Sequence, residues 1–500
     1  MAEYSSRSVC KGLKRVPLVF CVLLVCLAFL INSCAVNPVS KKREFVLMSE
    51  GQEIAIGKQQ DPIVLEEFGY YEDEKLQEYV NRVGQRIAEV SDRPDLIYRY
   101  KVVNSEMVNA FALPGGYIYM TRGILSHLNS EAELATVLGH ETGHVTARHA
   151  VQQITKSRTL SILQQAGSIF VPQLRQVSQL TGILFQAILS GYGRQAEFQS
   201  DEVGMKYAIE AGYDPRSAAE FLKTLKSLEK DQDKGGFHGF FASHPETADR
   251  IQRAQEIAQG LLSSEEPHRT LLVDRNEYLR HLDGMLYGPD PKEGVTIGNI
   301  FRHKDMAFEI TFPMGWEIHN TKNALISKEP EKEHIIQMLS PDDLSKRITP
   351  EEYAKGFTKK GKMKVSSGEA ADIHGMKAYI AQAETSLDKL GKVGIEYAVI
   401  FKENQAFNIV SFAPLREFPE VKDAFLSTIH SFRRLTHEER KAIKPMRLKI
   451  LEAKAGDTLE MLVKKHGVEG QRVEEIAKMN GLDPKQALEV GMKVKLIVSF

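Results

Sequence analysis

The chain turns on Ala132-Glu133-Leu134-Ala135-Thr136-Val137-Leu138-Gly139-His140-Glu141-Thr142-Gly143-His144-Val145. A helix advances about 100° per residue, so His140 and His144, four apart, project from one face, with Glu141 on its flank. Two neutral imidazoles at that spacing can hold a zinc ion. Other positions are left for a third ligand and for a water whose proton a neighbouring carboxylate can take. Leu134, Val137 and Leu138 form an apolar stripe that buries the helix, and Ser130 before Glu131 and Glu133 reads as a cap with acidic first-turn residues. The pattern places one Zn2+ per chain on a packed helix.

Working outward, 500 residues imply about two to four domains, and 42% hydrophobic with 26% charged residues suits globular cores. A formal net charge of −1 with no basic arm argues against nucleic acid as a partner. At the N-terminus Arg7, Lys11, Lys14 and Arg15 precede the uncharged run Val16 to Ile31. That run falls short of the roughly 20 residues of a spanning helix and suits a secretory leader. It ends Leu30-Ile31-Asn32-Ser33-Cys34, which resembles a bacterial lipobox and implies a signal peptide over 1–33 and lipidation of Cys34. An uncleaved anchor helix is the other reading, and both hold the chain at a membrane. Cys10, Cys21 and Cys26 lie in the leader, so the processed chain keeps Cys34 alone and forms no internal disulfide. Ala35 after the cysteine, by the same resemblance, points to the periplasmic face of the outer membrane.

Residues 34–48, polar with Lys41-Lys42-Arg43, read as a tether near anionic headgroups. A catalytic domain follows over 49–287. Helical spacing runs from Ser49 to Val90, then Tyr98 to Val103 and Gly116 to Thr121 alternate as strands. Between them Asn109-Ala110-Phe111-Ala112 fits either an edge strand that pairs with an extended peptide or an ordinary loop. Residues 160–192 are apolar but broken by glutamines and Pro172, as expected of a helical hairpin over the site, against a membrane surface, or in the core. In Tyr192-Gly193-Arg194-Gln195-Ala196-Glu197-Phe198-Gln199-Ser200-Asp201, Glu197 and Asp201 share a helix face: either it is a solvated acidic face or, as the paired histidines favour, one carboxylate completes the metal triad and the other fixes the tautomer of a ligating imidazole. His244, before Pro245, is set on a loop ahead of a helix. His149, nine residues after His140, lies about half a turn away and is expected to face away from the metal.

Together, His140-Glu141-Thr142-Gly143-His144, Glu197-x-x-x-Asp201 and Ser243-His244-Pro245 with Arg250-Ile251 resemble the zinc metallopeptidases related to the CAAX prenyl protease, in particular their envelope-located bacterial members. The resemblance covers about residues 45–260. It implies a mainly helical zincin domain of gluzincin type. In it His140, His144 and Glu197 bind zinc, Glu141 is the general base, Asp201 stands behind a ligand, and Asn109, Ala110, Phe111 and Ala112 bind substrate. His244 either fills the fourth zinc position or lies near the developing oxyanion.

The fold class is α+β multidomain. Residues 295–436 read as an antiparallel sheet packed on helices, and the opening Phe308 to Trp316 loosely resembles PsbP or Mog1-like domains. Residues 446–500 follow a β-α-α-β order that resembles a LysM module, which implies either peptidoglycan as a partner or a protein-binding or purely structural version of the module. Two functions fit: an envelope-anchored zinc endopeptidase for misfolded or misassembled exported proteins, or a cell-wall-tethered assembly factor or chaperone whose zinc site His244 closes.

Overall fold

Cys34–Val36 (β1) and Arg43–Phe45 (β2) pair antiparallel around Asn37, whose side-chain oxygen accepts from the amides of Val39 and Ser40. Asn37 is buried and its Nδ2 donates to the carbonyl of Ala147 at 2.9 Å. Val46 and Met48 pack with Val151. The segment expected to be a free tether is therefore folded, because its few apolar residues meet partners about a hundred positions away. The computed structural model describes residues 34–46, 48–156, 191–229, 244, 247–264, 269–344, 347–387, 390–467 and 472–499. The leader over 1–33, nearly all of the expected 160–192 hairpin, and Ser243 and Pro245 lie outside the described residues.

Ser49 and Gln52 cap each other reciprocally at the start of α1 (Glu50–Phe68), and Asp73 caps α2 (Glu74–Glu89). A three-stranded sheet follows, in the order β3 (Arg99–Val103), β5 (Tyr117–Thr121), β4 (Ala110–Leu113). β3 runs parallel to β5 and β4 antiparallel, which leaves β4 at the edge. The short α3 (Arg122–His127) leads to α4 (Glu131–Thr146), which carries the paired histidines. Ser130 Oγ accepts from Glu133 N at 3.1 Å while Glu133 Oε2 accepts from Asn129 N at 2.8 Å, so several amides at the α4 entrance find acceptors. Tyr79 and Tyr213 donate to the two oxygens of Glu131 at 2.9 and 2.8 Å, tying this end to α2 and to a later turn.

Behind α4 lie α5 (Arg194–Glu210), α6 (Ser217–Glu229), α7 (Thr247–Ser264) and α8 (Arg275–Leu282). The approach of α4 to α5 depends on glycine. A Cβ on Gly139 would stand 2.6 Å from the carbonyl oxygen of Gly204, and one on Gly204 2.6 Å from the amide nitrogen of His140. The far end of α4 is fastened by a buried charge network. Arg93 donates to Glu53 at 2.9 Å and to the carbonyl of Val145 at 3.1 Å, and Arg148 donates to Glu53 at 3.0 Å.

Residues after 294 build an antiparallel sheet of seven strands, as its alternating pattern predicts, in the order β10-β11-β12-β16-β15-β14-β13. These are Glu317–Asn320, Leu325–Glu329, Lys332–Asp343, Gln405–Pro414, Gly391–Lys402, Met376–Leu387 and Lys364–Ile373 respectively. Neighbouring residues of β15 face opposite ways: Tyr397 and Val399 meet α9 (Pro350–Lys360), while Ala398 and Ile400 join the cluster at the end of α10 (Phe418–Ser431). Beside it β7 (Val295–Ile297), β8 (Ile300–His303) and β9 (Phe308–Thr311) join β17 (Arg433–Arg434).

After α11 (His437–Ala442), the last segment has the expected β-α-α-β order: β18 (Met446–Glu452), α12 (Leu459–Lys465), α13 (Val473–Asn480) and β19 (Lys493–Ser499). Its sheet is completed by β6 (Leu286–Tyr287), drawn from the stretch next to the Gly288–Pro291 linker expected from sequence. Leu448, Leu459, Ile476 and Leu496 belong to the same apolar cluster as Leu134 and Leu138 of α4. Among the described residues no helix is long and apolar enough to cross a membrane.

Candidate metal centre

Four donors from three places in the chain converge. His140 and His144 come from α4, Glu197 from the first turn of α5, and His244 from the residues just before α7; their ligand atoms all lie within 4.8 Å of one another and all four side chains are buried. The Nε2 atoms of His140 and His144 are 3.0 Å apart, and Glu197 carboxylate oxygens stand 3.5 and 3.4 Å from them. Tetrahedral zinc with bonds of about 2.0–2.1 Å holds its ligand atoms roughly 3.3 Å apart, so the three donors fit that ion. Glu197 Oε1 and both oxygens of Glu141 are buried without a hydrogen-bond partner among the described residues. Buried acceptors left in this way are costly in a purely structural cluster, and a cation bound among these donors would satisfy them.

The surroundings supply charge and order. His140 Nδ1 is 2.8 Å from Asp201 Oδ1, and Arg250 grips Asp201 with two bonds of 2.7 Å. Burial disfavours the Asp201 carboxylate, yet Arg250 and His140 outweigh it and bring its pKa down to about 2. Burial raises Glu141 above the ordinary carboxylate range, against the pull of His244 and His140, which suits a group that accepts and returns a proton. Burial also holds His144 well below the usual imidazole value, so it is neutral and able to ligate.

His244 Nδ1 lies 2.9 Å from Glu197 Oε2 and 3.3 Å from His140 Nε2, while its Nε2 is 3.4 Å from the carbonyl of Ala110 on β4 and 3.6 Å from Glu141. It thus sits between the donor cluster and the edge strand. Phe111 and Ala112 continue that strand, all of it buried, and Asn109 directly precedes it. Cys34 lies in β1, at the first described position.

The expectation for His149 is overturned. Its Nδ1 is 2.9 Å from His144 Nδ1, directly behind the candidate ligand. Counting at about 100° per residue fails because α4 ends at Thr146 and Arg148 adopts a left-handed φ of 58°, which swings His149 back. Tyr192 was also missed as a site residue: its ring stacks on His144 with centroids 4.2 Å apart. The residues between it and α4 carry no local signal of that contact.

Residues 74–258, which contain every donor above, match peptidase family M48. The mitochondrial metalloendopeptidase OMA1 of Schizosaccharomyces pombe is 30% identical over 224 residues, covering 44% of this chain and 65% of that protein. The Arabidopsis thaliana OMA1 is 34% identical over 175 residues, 35% of this chain and 34% of its own. The beta-barrel assembly-enhancing protease of Escherichia coli (strain K12) is 27% identical over 208 residues, 39% and 42% of the two chains. The chain therefore spans less than two thirds of the length of these relatives. Among solved structures, cyanobacterial PsbP from Synechocystis sp. PCC 6803 covers 28% of this chain and 95% of its own at 13% identity, with a TM-score of 0.25 that decides nothing about fold.

Proposed function

We propose that this chain is a zinc metalloendopeptidase of the bacterial cell envelope, held at the outer membrane by lipidated Cys34, that hydrolyses misfolded or misassembled exported proteins. One observation carries the reading: a buried carboxylate, Glu141, with no hydrogen-bond partner among the described residues, next to three donors spaced for zinc. The metalloendopeptidase relatives and the M48 match agree with it. The envelope location rests on the leader and on the bacterial relative, whose name ties it to beta-barrel assembly.

His140, His144 and Glu197 would hold the ion, which when bound supplies a Lewis acid and lowers the pKa of a bound water to about 7. Glu141 takes the proton of the attacking water and delivers it to the leaving amine. Asp201, clamped by Arg250, accepts from His140 Nδ1 and keeps its Nε2 turned toward the metal. Asn109 to Ala112, leading into and along the edge strand β4, are proposed to bind an extended substrate by strand addition. Residues 446–500, by their LysM-like order, are proposed to contact peptidoglycan.

A second reading, an assembly factor or chaperone with a closed site, is favoured by the position of His244 against Glu197, His140 and the carbonyl of Ala110. Gel cleavage of an unfolded outer-membrane protein separates the two. Cleavage by wild type but not by Glu141→Gln, with zinc retained in both, is the expected result. Equal activity in the two sinks the assignment of Glu141; no cleavage by wild type together with cleavage by His244→Ala favours the closed site.

A further inference from the structure

We infer that His149, oriented by Gln199, is a positioning residue that sets the tautomer of His144. The inference rests on the reading of His144 as a metal ligand. His144 points Nε2 at the donor cluster, 3.0 Å from His140 Nε2 and 3.4 Å from Glu197. For that nitrogen to ligate, its proton must sit on Nδ1, and Nδ1 needs an acceptor. The atom it meets is His149 Nδ1 at 2.9 Å.

An imidazole can serve as that acceptor only if its own proton is on the other nitrogen. His149 Nε2 is 3.0 Å from Gln199 Oε1, a carbonyl oxygen that accepts and never donates. His149 therefore carries its proton on Nε2, presents a lone pair at Nδ1, and receives the Nδ1–H of His144. Ser200 Oγ lies 3.3 Å from the same Nδ1, where its hydroxyl can turn its hydrogen toward the ring without requiring a proton on Nδ1. The chain of protons runs from the Gln199 carbonyl through two rings to the lone pair at the metal position. His149 is buried, and among the described residues no carboxylate is paired with it.

The two histidines of α4 are thus supported unequally. His140 is backed by a carboxylate that Arg250 neutralises, His144 by an uncharged ring, with Tyr192 stacked on its face. A neutral partner orients the ligand without adding negative charge beside a site that already holds Glu141 and Glu197.

The test compares wild type, His149→Leu, His149→Gln and Gln199→Met in the full protein. Zinc affinity is read by competition with a chelator, the ligand field by absorption of the Co2+-loaded protein, and folding by thermal unfolding after metal removal. His149→Leu is expected to weaken zinc binding roughly 10- to 100-fold, the range for lost partners behind a ligand. His149→Gln, whose carbonyl can still accept from His144, restores most of it, and its Co2+ spectrum returns to that of wild type. Gln199→Met, which leaves the His149 ring in place, weakens binding by a smaller factor and reads the relay even where His149→Leu does not fold. Wild-type affinity in both His149→Leu and Gln199→Met overturns the inference alone. Failure of wild type to bind zinc overturns the ligand reading beneath it.

Discussion

Lys495 is fully buried where the last segment meets the entrance to the metal-bearing helix. Its Nζ donates to the carbonyls of Ser126 and Leu128, both at 2.8 Å, in the turn between α3 and α4. Asn480 holds the backbone of Lys495 on both sides, accepting from its amide at 2.8 Å and donating to its carbonyl at 2.9 Å. Lys495→Met keeps the aliphatic stem and strips two buried carbonyls of their donor. Each acceptor left unsatisfied costs about 1–3 kcal/mol, partly offset because the amine no longer has to be buried. A net loss of about 2–4 kcal/mol follows, and at about 2–4 °C per kcal/mol for a domain of this size the Tm falls by roughly 4–16 °C.

The assay is thermal unfolding of the full chain with saturating zinc across a pH series. Burial, with Arg275 adding to it, pushes Lys495 well below its usual pKa, so the fold favours the neutral amine, whose two N–H groups match the two carbonyls. A folded pKa below the unfolded value of about 10.4 means that wild-type stability gains as pH rises between the two. The gap between wild type and Lys495→Met must therefore widen toward alkaline pH. A Tm within about 2 °C of wild type, or a gap that narrows with pH, refutes the reasoning.

Gly139→Ala forces a Cβ against the carbonyl of Gly204 and parts α4 from α5. The expected cost is about 1–3 kcal/mol, with weakened zinc binding because Glu197 retreats from the two histidines; chelator competition checks it. In the large sheet Glu396 is buried with Oε2 unpartnered among the described residues, and burial lifts its pKa to about 7 against Lys422. Its contribution is full below the unfolded value of about 4.3 and is lost as pH rises through about 7, at most about 4 kcal/mol. Glu396→Gln should thus gain on wild type between pH 5 and 8 in denaturant titrations, and parallel pH curves would contradict this.

What the sequence determined alone is what depends on near neighbours. His140 and His144 share a face because four residues of helix put them there, Ser130 caps because its hydroxyl reaches an amide three residues on, and the β-α-α-β order at the end follows from local periodicity. That Glu197 and Asp201 share a face was legible from their spacing, but which of them meets α4 came from motif resemblance, since no spacing phases two helices across the 34 undescribed residues 157–190. Tertiary structure decided the rest. A left-handed residue after α4 returned His149 to the metal side, and burial turned the tether 34–48 into a hairpin held by Asn37. Lys495 joined the last segment to the entrance of α4 from 367 residues away. The Asn37 and Lys495 contacts join buried polar groups far apart in the chain, and the His149 contact depends on a backbone turn that helical periodicity does not foresee. Their partners are chosen by the need to satisfy every buried donor and acceptor, a condition imposed by the packed interior that no local pattern records.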